Sequence, residues 1–186
     1  MKYFASLFLP VTCGFLISCK ERTQQDVLIK VEIGKEAPDF KFRNLATDKE
    51  SKLSDFKGKV VVAKFWWSKC PVCNFKMDHM QTFIDEHQEW NDDVVYLAVS
   101  VDPAIDAARR HVAAVEEEED RSWSKTLNSW HDSQGGQSPI YLAYAAETGI
   151  PVSYVIDRSG KVTAIDSPQN LDELDLDKAV RVLLEP

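Results

Sequence analysis

The sequence predicts a single α/β domain in which helices flank a central mixed β-sheet. Three observations favour this class: the chain has 186 residues, strand-like apolar runs alternate with amphipathic stretches, and a turn near the C-terminus separates two short strands. At about 100 to 200 residues per domain, this length leaves no room for a second domain. Strands that alternate with helices pair in parallel, whereas a hairpin adds an antiparallel pair.

The composition is that of a globular protein with an acidic surface. Hydrophobic residues make up 44% of the chain and charged residues 28%, so a sizeable core can be buried. The formal net charge is -8, and no run of lysine and arginine offers phosphates a counter-charge. The sequence therefore argues against nucleic acid as a partner.

The N-terminus has the character of a secretory leader. Lys2 is the only charged residue before Lys20, and residues 4–17 are almost wholly apolar. This stretch is shorter than the roughly 20 residues that cross a bilayer as a helix, which argues against a permanent transmembrane anchor. It ends in Leu16-Ile17-Ser18-Cys19, which resembles the bacterial lipobox, where the cysteine is acylated and becomes the new N-terminus.

We therefore predict a lipoprotein signal peptide over residues 1–18, lipidation at Cys19, a tether over 19–32 and a folded domain over 33–186. The protein would be lipid-anchored to a membrane of the cell envelope, outside the cytoplasm. An ordinary cleaved leader with an incidental cysteine is the alternative. Residues 27–33 also alternate in polarity, which fits an edge strand as well as a tether.

Four cysteines are present, but only two remain for the folded domain. Cys13 lies within the leader and Cys19 belongs to the lipobox, which leaves Cys70 and Cys73. A C-x-x-C pair closes too small a loop to stabilise a fold much. We interpret the pair as chemical rather than structural.

Strand and helix signals surround this pair. Residues 60–67 predict a buried strand that leads directly into the C-x-x-C, and a helix then begins at the dithiol and continues to Trp90. The remaining predicted elements are a strand over 94–101, a helix over 104–119, a short strand over 127–130, a short helix over 139–146, a strand over 152–156 with its hairpin partner over 161–165, and a helix over 171–184.

Three motifs in order resemble a known family. The first is Ile33-Gly34-Lys35-Glu36-Ala37-Pro38-Asp39-Phe40, followed by residues 53–60; the second is Phe65-Trp66-Trp67-Ser68-Lys69-Cys70-Pro71-Val72-Cys73; the third is Thr148-Gly149-Ile150-Pro151, leading to residues 154–161. Together they are similar to the membrane-tethered thioredoxin-like proteins of the TlpA and ResA type, which are related to the AhpC/TSA group. The resemblance covers the chain from Ile33 onward.

This resemblance implies a thioredoxin-like three-layer fold and thiol-disulfide exchange through a redox-active disulfide between Cys70 and Cys73. It also implies that the Ile150-Pro151 bond is cis, packs against the dithiol and lends backbone groups to an extended substrate. The implied partners are exported protein thiols or disulfides, apocytochrome c among them, and a membrane thiol reductant. No organic cofactor is expected.

Elementary chemistry distinguishes the roles of the two cysteines. Cys70, at the start of the predicted helix, faces unpaired backbone N–H groups and the positive end of the helix dipole, which favour the attacking thiolate. Lys69 adds a nearby cation. Pro71 fixes the first turn, and Cys73 lies within reach of Cys70. The sequence thus predicts Cys70 as nucleophile and Cys73 as resolving cysteine.

Three lysines depart from the family pattern. Lys69 replaces an aromatic residue before the first cysteine, Lys64 stands where thioredoxins bury an acid, and Lys76 stands where ResA-like members carry a Glu. No acidic relay is therefore predicted, and the redox potential and direction stay open. We interpret Lys64 as an edge-facing side chain, with a group of perturbed pKa as the alternative. Trp66 and Trp67 are expected to pack beneath the site on opposite faces of the strand.

Two other functions would use the same sulfurs. A lipid-anchored copper or zinc module needs two more ligands, but His79, His87, His111 and His131 are scattered without metal-site spacing. A peroxiredoxin needs Thr or Ser three residues before its cysteine, where this chain has Trp67. Both alternatives are less favoured than thiol-disulfide exchange.

Overall fold

A computed structural model describes residues 30–118, 123, 126–168 and 175–185. The predicted signal peptide, Cys19 and most of the predicted tether lie outside these residues. Within the described ranges, no helix combines the length and the apolar character that crossing a membrane requires.

Among the described residues, seven strands form one sheet, which is mixed as predicted. The strands are β1 Lys41–Asn44, β2 Glu50–Lys52, β3 Val60–Trp66, β4 Val94–Ser100, β5 Leu127–Trp130, β6 Val152–Ile156 and β7 Val162–Asp166. Their order across the sheet is β2-β1-β5-β4-β3-β6-β7. The β3–β4 and β4–β5 pairs are parallel and the other pairs are antiparallel.

Four helices accompany the sheet. They are α1 Pro71–Glu86, α2 Ile105–Glu118, α3 Pro139–Tyr141 and α4 Leu176–Leu184; α3 continues as a π-helical turn over Leu142–Ala146. Short 3-10 helices occupy Leu53–Phe56 and Gln88–Trp90. The predicted helices therefore form close to their expected bounds, although residues 171–174 of the last one lie outside the described part of the chain.

The N-terminal part of the domain differs from the sequence-based expectation. Strands β1 and β2 were not predicted, because Phe42 is the only buried residue in the two strands together. Residues 30–33, the described part of the alternative edge strand, form no strand. Val31 is buried in the core, and the chain turns at Gly34, whose positive φ of 83° suits glycine.

Strand β3 separates the two sides of the core. Phe65 and its alternate neighbours contact the cluster that includes Phe40 and Tyr144, on the face of α3. Val62 and Trp66 point the other way, where Val62 packs with Met80 of α1. This alternation follows from the two-residue period of a strand. It places helix α1, and thus the C-x-x-C at its start, directly over the end of β3.

Candidate active site

The dithiol lies at the N-terminus of α1. Cys70 is the N-cap residue, and its Sγ accepts a hydrogen bond from the backbone N–H of Cys73 at 3.2 Å. Pro71 occupies the first helical position, where its missing N–H costs no hydrogen bond. The first turn contains no acidic residue. The helix terminus therefore presents positive partial charge to Cys70 Sγ.

The two sulfurs differ in accessibility. Cys70 and Cys73 form a disulfide with a Cα–Cα distance of 5.2 Å. Cys73 is fully buried against Trp66 and Met77, whereas Cys70 is half-buried at the edge of the same cluster. An incoming thiol therefore reaches Cys70 before Cys73.

A cis proline borders the disulfide. The Ile150–Pro151 peptide bond is cis, as the resemblance implies. Phe65 pairs with Val152, so the same antiparallel register places Pro151 opposite Trp66. Ile150 packs on the hydrophobic cluster that contains Cys70 and Cys73. Cys70, Cys73 and Ile150 thus lie in one cluster, and Pro151 follows Ile150 directly in the chain.

Two tryptophans support the site from below. Trp66 is fully buried and packs edge-to-face on Trp123, with ring centroids 5.8 Å apart. Trp67 is half-buried and packs on the opposite core cluster. The prediction that they face opposite sides of the strand is confirmed.

A buried aspartate, which the sequence does not predict as part of the site, holds the loop before Cys70. Asp102 follows β4 and is almost fully buried. Its carboxylate accepts hydrogen bonds from the Ser68 hydroxyl at 2.6 Å, the Ser68 N–H at 3.2 Å and the Ser100 hydroxyl at 2.6 Å. The parallel pairing of β3 and β4 was the signal that could have found it, since the carboxyl ends of paired parallel strands meet at one edge.

Lys64 does not face an edge, and that expectation was wrong. It lies on β3, which has β4 on one side and β6 on the other, and only 6% of its surface is exposed. Burial lowers its pKa to about 8; the nearby Lys76 lowers the pKa further and Asp166 opposes the shift. The sequence pattern predicted the wrong position for Lys64, because a lysine inside an apolar run more often lies on an edge strand of a sheet.

Exposed apolar side chains surround Cys70. Pro71, Val72 and Phe75 are exposed, Val72 and Phe75 each to 57%. The Phe75 ring contacts the His79 ring at a centroid distance of 4.1 Å. Lys69, on the other side of Cys70, is exposed as well. We name Pro71, Val72 and Phe75 the apolar turn of α1.

Two of the four histidines lie near the dithiol. His111 contacts Asn74, the neighbour of Cys73, and its ring lies 5.6 Å from that of Trp66, while His79 contacts Phe75. His87 contacts Asp177 and His131 contacts Ser138, in other parts of the fold. Among the described residues, no group of three or more His, Cys, Asp or Glu side chains is placed to hold a metal ion.

Comparison with known sequences identifies relatives. Residues 33–165 match the AhpC/TSA family. The chain is 30% identical over 165 residues to the thiol-disulfide oxidoreductase ResA of Bacillus thuringiensis subsp. konkukian. The aligned region covers 86% of this chain and 83% of the relative. It is 24% identical over 164 residues to the thioredoxin-like protein YneN of Bacillus subtilis, which covers 88% of each chain.

Solved structures give the same fold. A proposed thiol:disulfide interchange protein DsbE of Chlorobium tepidum superposes with a TM-score of 0.65 at 25% identity, over 84% of this chain and 100% of the other. The thioredoxin domain of a thiol-disulfide oxidoreductase from Bacteroides vulgatus superposes with a TM-score of 0.62 at 17% identity, over 83% and 99%. The thioredoxin-like fold expected from the sequence is thereby confirmed.

Proposed function

Since the chain belongs to the AhpC/TSA family, as a thioredoxin-like protein of the ResA and TlpA type, we propose that it is an extracytoplasmic thiol-disulfide oxidoreductase that works through Cys70 and Cys73. One observation carries the assignment of roles: both sulfurs lie at the N-terminus of α1, but only Cys70 is reached from solvent. An accessible sulfur suits the nucleophile and a buried one suits the resolving thiol.

The proposed reaction transfers two electrons between dithiol and disulfide. In the reducing direction, the Cys70 thiolate attacks a client disulfide, a mixed disulfide forms, and one client sulfur leaves as thiolate. Cys73, deprotonated, then attacks Cys70 Sγ and releases the second client sulfur. The client gains two electrons and two protons, and the enzyme ends as the Cys70–Cys73 disulfide. The reverse sequence oxidises a client dithiol.

Ile150 and Pro151 complete the proposed site. Ile150 contacts the cluster that holds both sulfurs, and Pro151 begins the chain segment that enters β6. An extended client segment placed beside Cys70 would therefore lie against these two residues. We assign them to substrate binding rather than to electron transfer.

The clients we propose are exported proteins, which dock on the apolar turn of α1. Its side chains form an exposed apolar surface next to Cys70 in an otherwise acidic protein. Such a surface suits the apolar side chains that incompletely folded proteins expose. Apocytochrome c is one client of this kind, and a membrane thiol reductant would return the dithiol form.

The two competing functions have less support. A copper or zinc module needs further ligands beside the sulfurs, and within the part of the chain that the structure describes no group of three or more His, Cys, Asp or Glu side chains could hold a metal ion. A thiol peroxidase needs a hydroxyl side chain three residues before its cysteine, and Trp67 is there instead. Retention of a metal ion by the purified protein would favour the first alternative.

The proposed location rests on the leader and on Cys19. Cleavage before Cys19 and acylation of its sulfur would anchor the domain through a short polar segment. A Cys19→Ala variant should therefore leave the membrane fraction, whereas the parent chain should stay in it. Parent chain found in the soluble fraction would contradict the anchor.

The exchange reaction can be tested with two matched serine variants. In Cys73→Ser, Cys70 can attack but the mixed disulfide cannot be resolved, so the variant should accumulate covalent adducts with a protein disulfide. In Cys70→Ser, neither adducts nor turnover should be detected. Mass spectrometry under non-reducing conditions measures both outcomes.

The parent protein provides the control, because it should gain and lose two hydrogen masses reversibly with thiol reagents. Full exchange activity in Cys70→Ser would refute the assigned nucleophile. A parent protein that passes no electrons to any disulfide would refute the function itself.

A further inference from the structure

The resolving thiol is shielded from water. Cys73 must be deprotonated before it attacks Cys70 Sγ, but it is fully buried in a cluster that includes Trp66 and Met77. Burial in apolar surroundings raises the pKa of a thiol, because it penalises the charged thiolate. The second step of the proposed reaction therefore needs a group inside the fold that favours the Cys73 thiolate.

Lys64 is a buried titratable residue that borders this cluster on two sides. It lies two residues before Trp66 on β3, and residues two apart on a strand point to the same face. It also pairs directly with Ala98 of β4, and Ala98 belongs to the cluster that holds Cys73. Neighbouring strands are about 5 Å apart, so the cluster adjoins Lys64 both along β3 and across the sheet.

Helix α1 covers Lys64 with the face that carries Cys73. Lys64 and Lys76 line the same cavity between α1 and the sheet. Lys76 follows Cys73 by three residues, so both lie on one face of the helix. The Lys64 side chain therefore stands beneath the first turns of α1, on the helix face to which Cys73 belongs.

The charges around Lys64 leave it cationic at neutral pH. Burial lowers its pKa to about 8; Lys76 lowers the pKa further and Asp166 opposes the shift. His79 also lines the cavity, whereas the residues paired with Lys64 on β4 and β6, and the cavity-lining residue of α4, are uncharged. Below pH 8 the ammonium form predominates, so Lys64 supplies a buried positive charge next to the cluster around Cys73.

We propose that the Lys64 ammonium stabilises the Cys73 thiolate in the resolving step, an inference that rests on the proposed exchange reaction. Cys73 releases its proton to solvent while Lys64 stays protonated. Cys73 Sγ then bonds to Cys70 Sγ, the bond between Cys70 and the client breaks, and the client sulfur leaves with the electron pair and takes up a proton. Lys64 acts on this step through its charge.

Single-turnover reaction of the reduced full chain with glutathione disulfide separates the two steps. Acid quenching and mass spectrometry of peptides follow first the mixed disulfide of Cys70 with glutathione and then the Cys70–Cys73 disulfide. In Lys64→Met, the thiolate fraction of Cys73 at pH 7 should fall at least about tenfold, and the higher nucleophilicity of the remaining thiolate should recover about threefold. Resolution should therefore slow at least about threefold, while attack by Cys70 should change less than about twofold, because Cys70 faces the N-terminus of α1.

The pH profile of resolution distinguishes an electrostatic role from a structural one. The resolution rate of the parent should level off at least about one pH unit lower than that of Lys64→Met. Above about pH 10 the two rates should converge, since Lys64 is then neutral and Cys73 is deprotonated in both proteins. Lys64→Gln loses the same charge but keeps a polar side chain, so it should behave like Lys64→Met and covers the case that Lys64→Met misfolds.

Lys59→Met, at an exposed lysine just before β3, is the matched control and should resolve the mixed disulfide as the parent does. Unchanged resolution rates and pH profiles in both Lys64 variants would overturn the proposal. Equal slowing of attack and resolution would overturn it as well, since that pattern indicates a structural effect. A parent protein that does not react with glutathione disulfide at all would instead contradict the proposed function, so the two failures are distinguishable.

Discussion

Lys64 is the residue whose environment departs most from that of its side-chain type. Its ammonium group is buried on an interior strand, and burial lowers its pKa from 10.5 to about 8. Below pH 8, Lys64 is protonated in both the folded and the unfolded chain. Burial of its charge then lowers the free energy of unfolding by its full amount. Between pH 8 and 10.5 the unfolded chain keeps the proton on Lys64 and the folded chain loses it. The free energy of unfolding therefore rises with pH across this window.

We therefore predict that Lys64→Met stabilises the protein at pH 7 by about 3 kcal/mol, because an apolar chain of similar length avoids the desolvation of the buried ammonium, which the attraction of Asp166 offsets only in part. This advantage should shrink as the pH rises from 8 to 10.5. Urea unfolding of both proteins gives the difference at each pH. A difference that stays constant across this window would contradict the assigned titration.

Asp102 is the second residue with a specific consequence. Asp102→Asn replaces one accepting carboxylate oxygen with an amide nitrogen, which donates and cannot accept from Ser68 or Ser100. We expect a loss of about 1 to 3 kcal/mol in the free energy of unfolding and slower reaction of Cys70 with a small disulfide, because the loop before it loses its anchor. Asp92→Asn, at an exposed aspartate, is the control for both measurements.

Unchanged Cys70 reactivity in Asp102→Asn, together with reduced stability, would limit Asp102 to a structural role. The distinction matters because Asp102 contacts Ser68, two residues before Cys70, and does not contact the sulfurs themselves. It is a positioning residue in our interpretation.

At the scale of the elements, the N-terminus of α1 holds both Cys70, its N-cap residue, and the apolar turn. Phe75→Ser should lower kcat/KM for a protein disulfide about tenfold, since an exposed aromatic contact contributes on the order of 1 to 2 kcal/mol when a client covers it. Its reaction rate with glutathione disulfide should not change, because that small molecule does not need the surface. Stopped-flow kinetics with both substrates measure the two effects.

Val182→Ser is the matched control for Phe75→Ser, because Val182 is 63% exposed on α4, away from the dithiol. It should leave both rates unchanged. Equal loss in the two variants, or loss of the glutathione reaction in Phe75→Ser, would contradict a docking role for the apolar turn.

The sequence predicts elements best where periodicity is strong. Strand β3 is apolar except for Lys64, and α1 follows an N-cap cysteine and begins with a proline, so the sequence predicts both with nearly correct bounds. The sequence does not predict strands β1 and β2, because their few residues are mostly polar. Pairing with neighbouring strands of the sheet defines them instead. The same holds for the site. The cysteines and the proline stand in local motifs that the sequence shows, whereas Asp102 contacts Ser68 across 34 residues, which no local motif reveals.

At the scale of the whole molecule, the fold does not need its disulfide. The bond links residues only three apart, so by loop-closure entropy it stabilises the chain by about 2 kcal/mol. We predict that reduction lowers the Tm by no more than about 8 °C, as expected for a protein of this length. Thermal unfolding with and without reductant measures the shift, and a Cys70→Ser/Cys73→Ser double variant provides the reference. If the protein unfolded when the disulfide was reduced, the bond would be needed for the stability of the fold, and the prediction would be wrong.

One edge of the sheet is the three-residue strand β2, whose sequence is Glu50-Ser51-Lys52. Its two outer side chains are exposed and of opposite charge, and Glu50 is already paired with Lys41 of β1. A short charged border offers a neighbouring copy too little backbone for strand-to-strand association. This edge of the sheet should therefore not support strand-to-strand association between neighbouring copies of the chain.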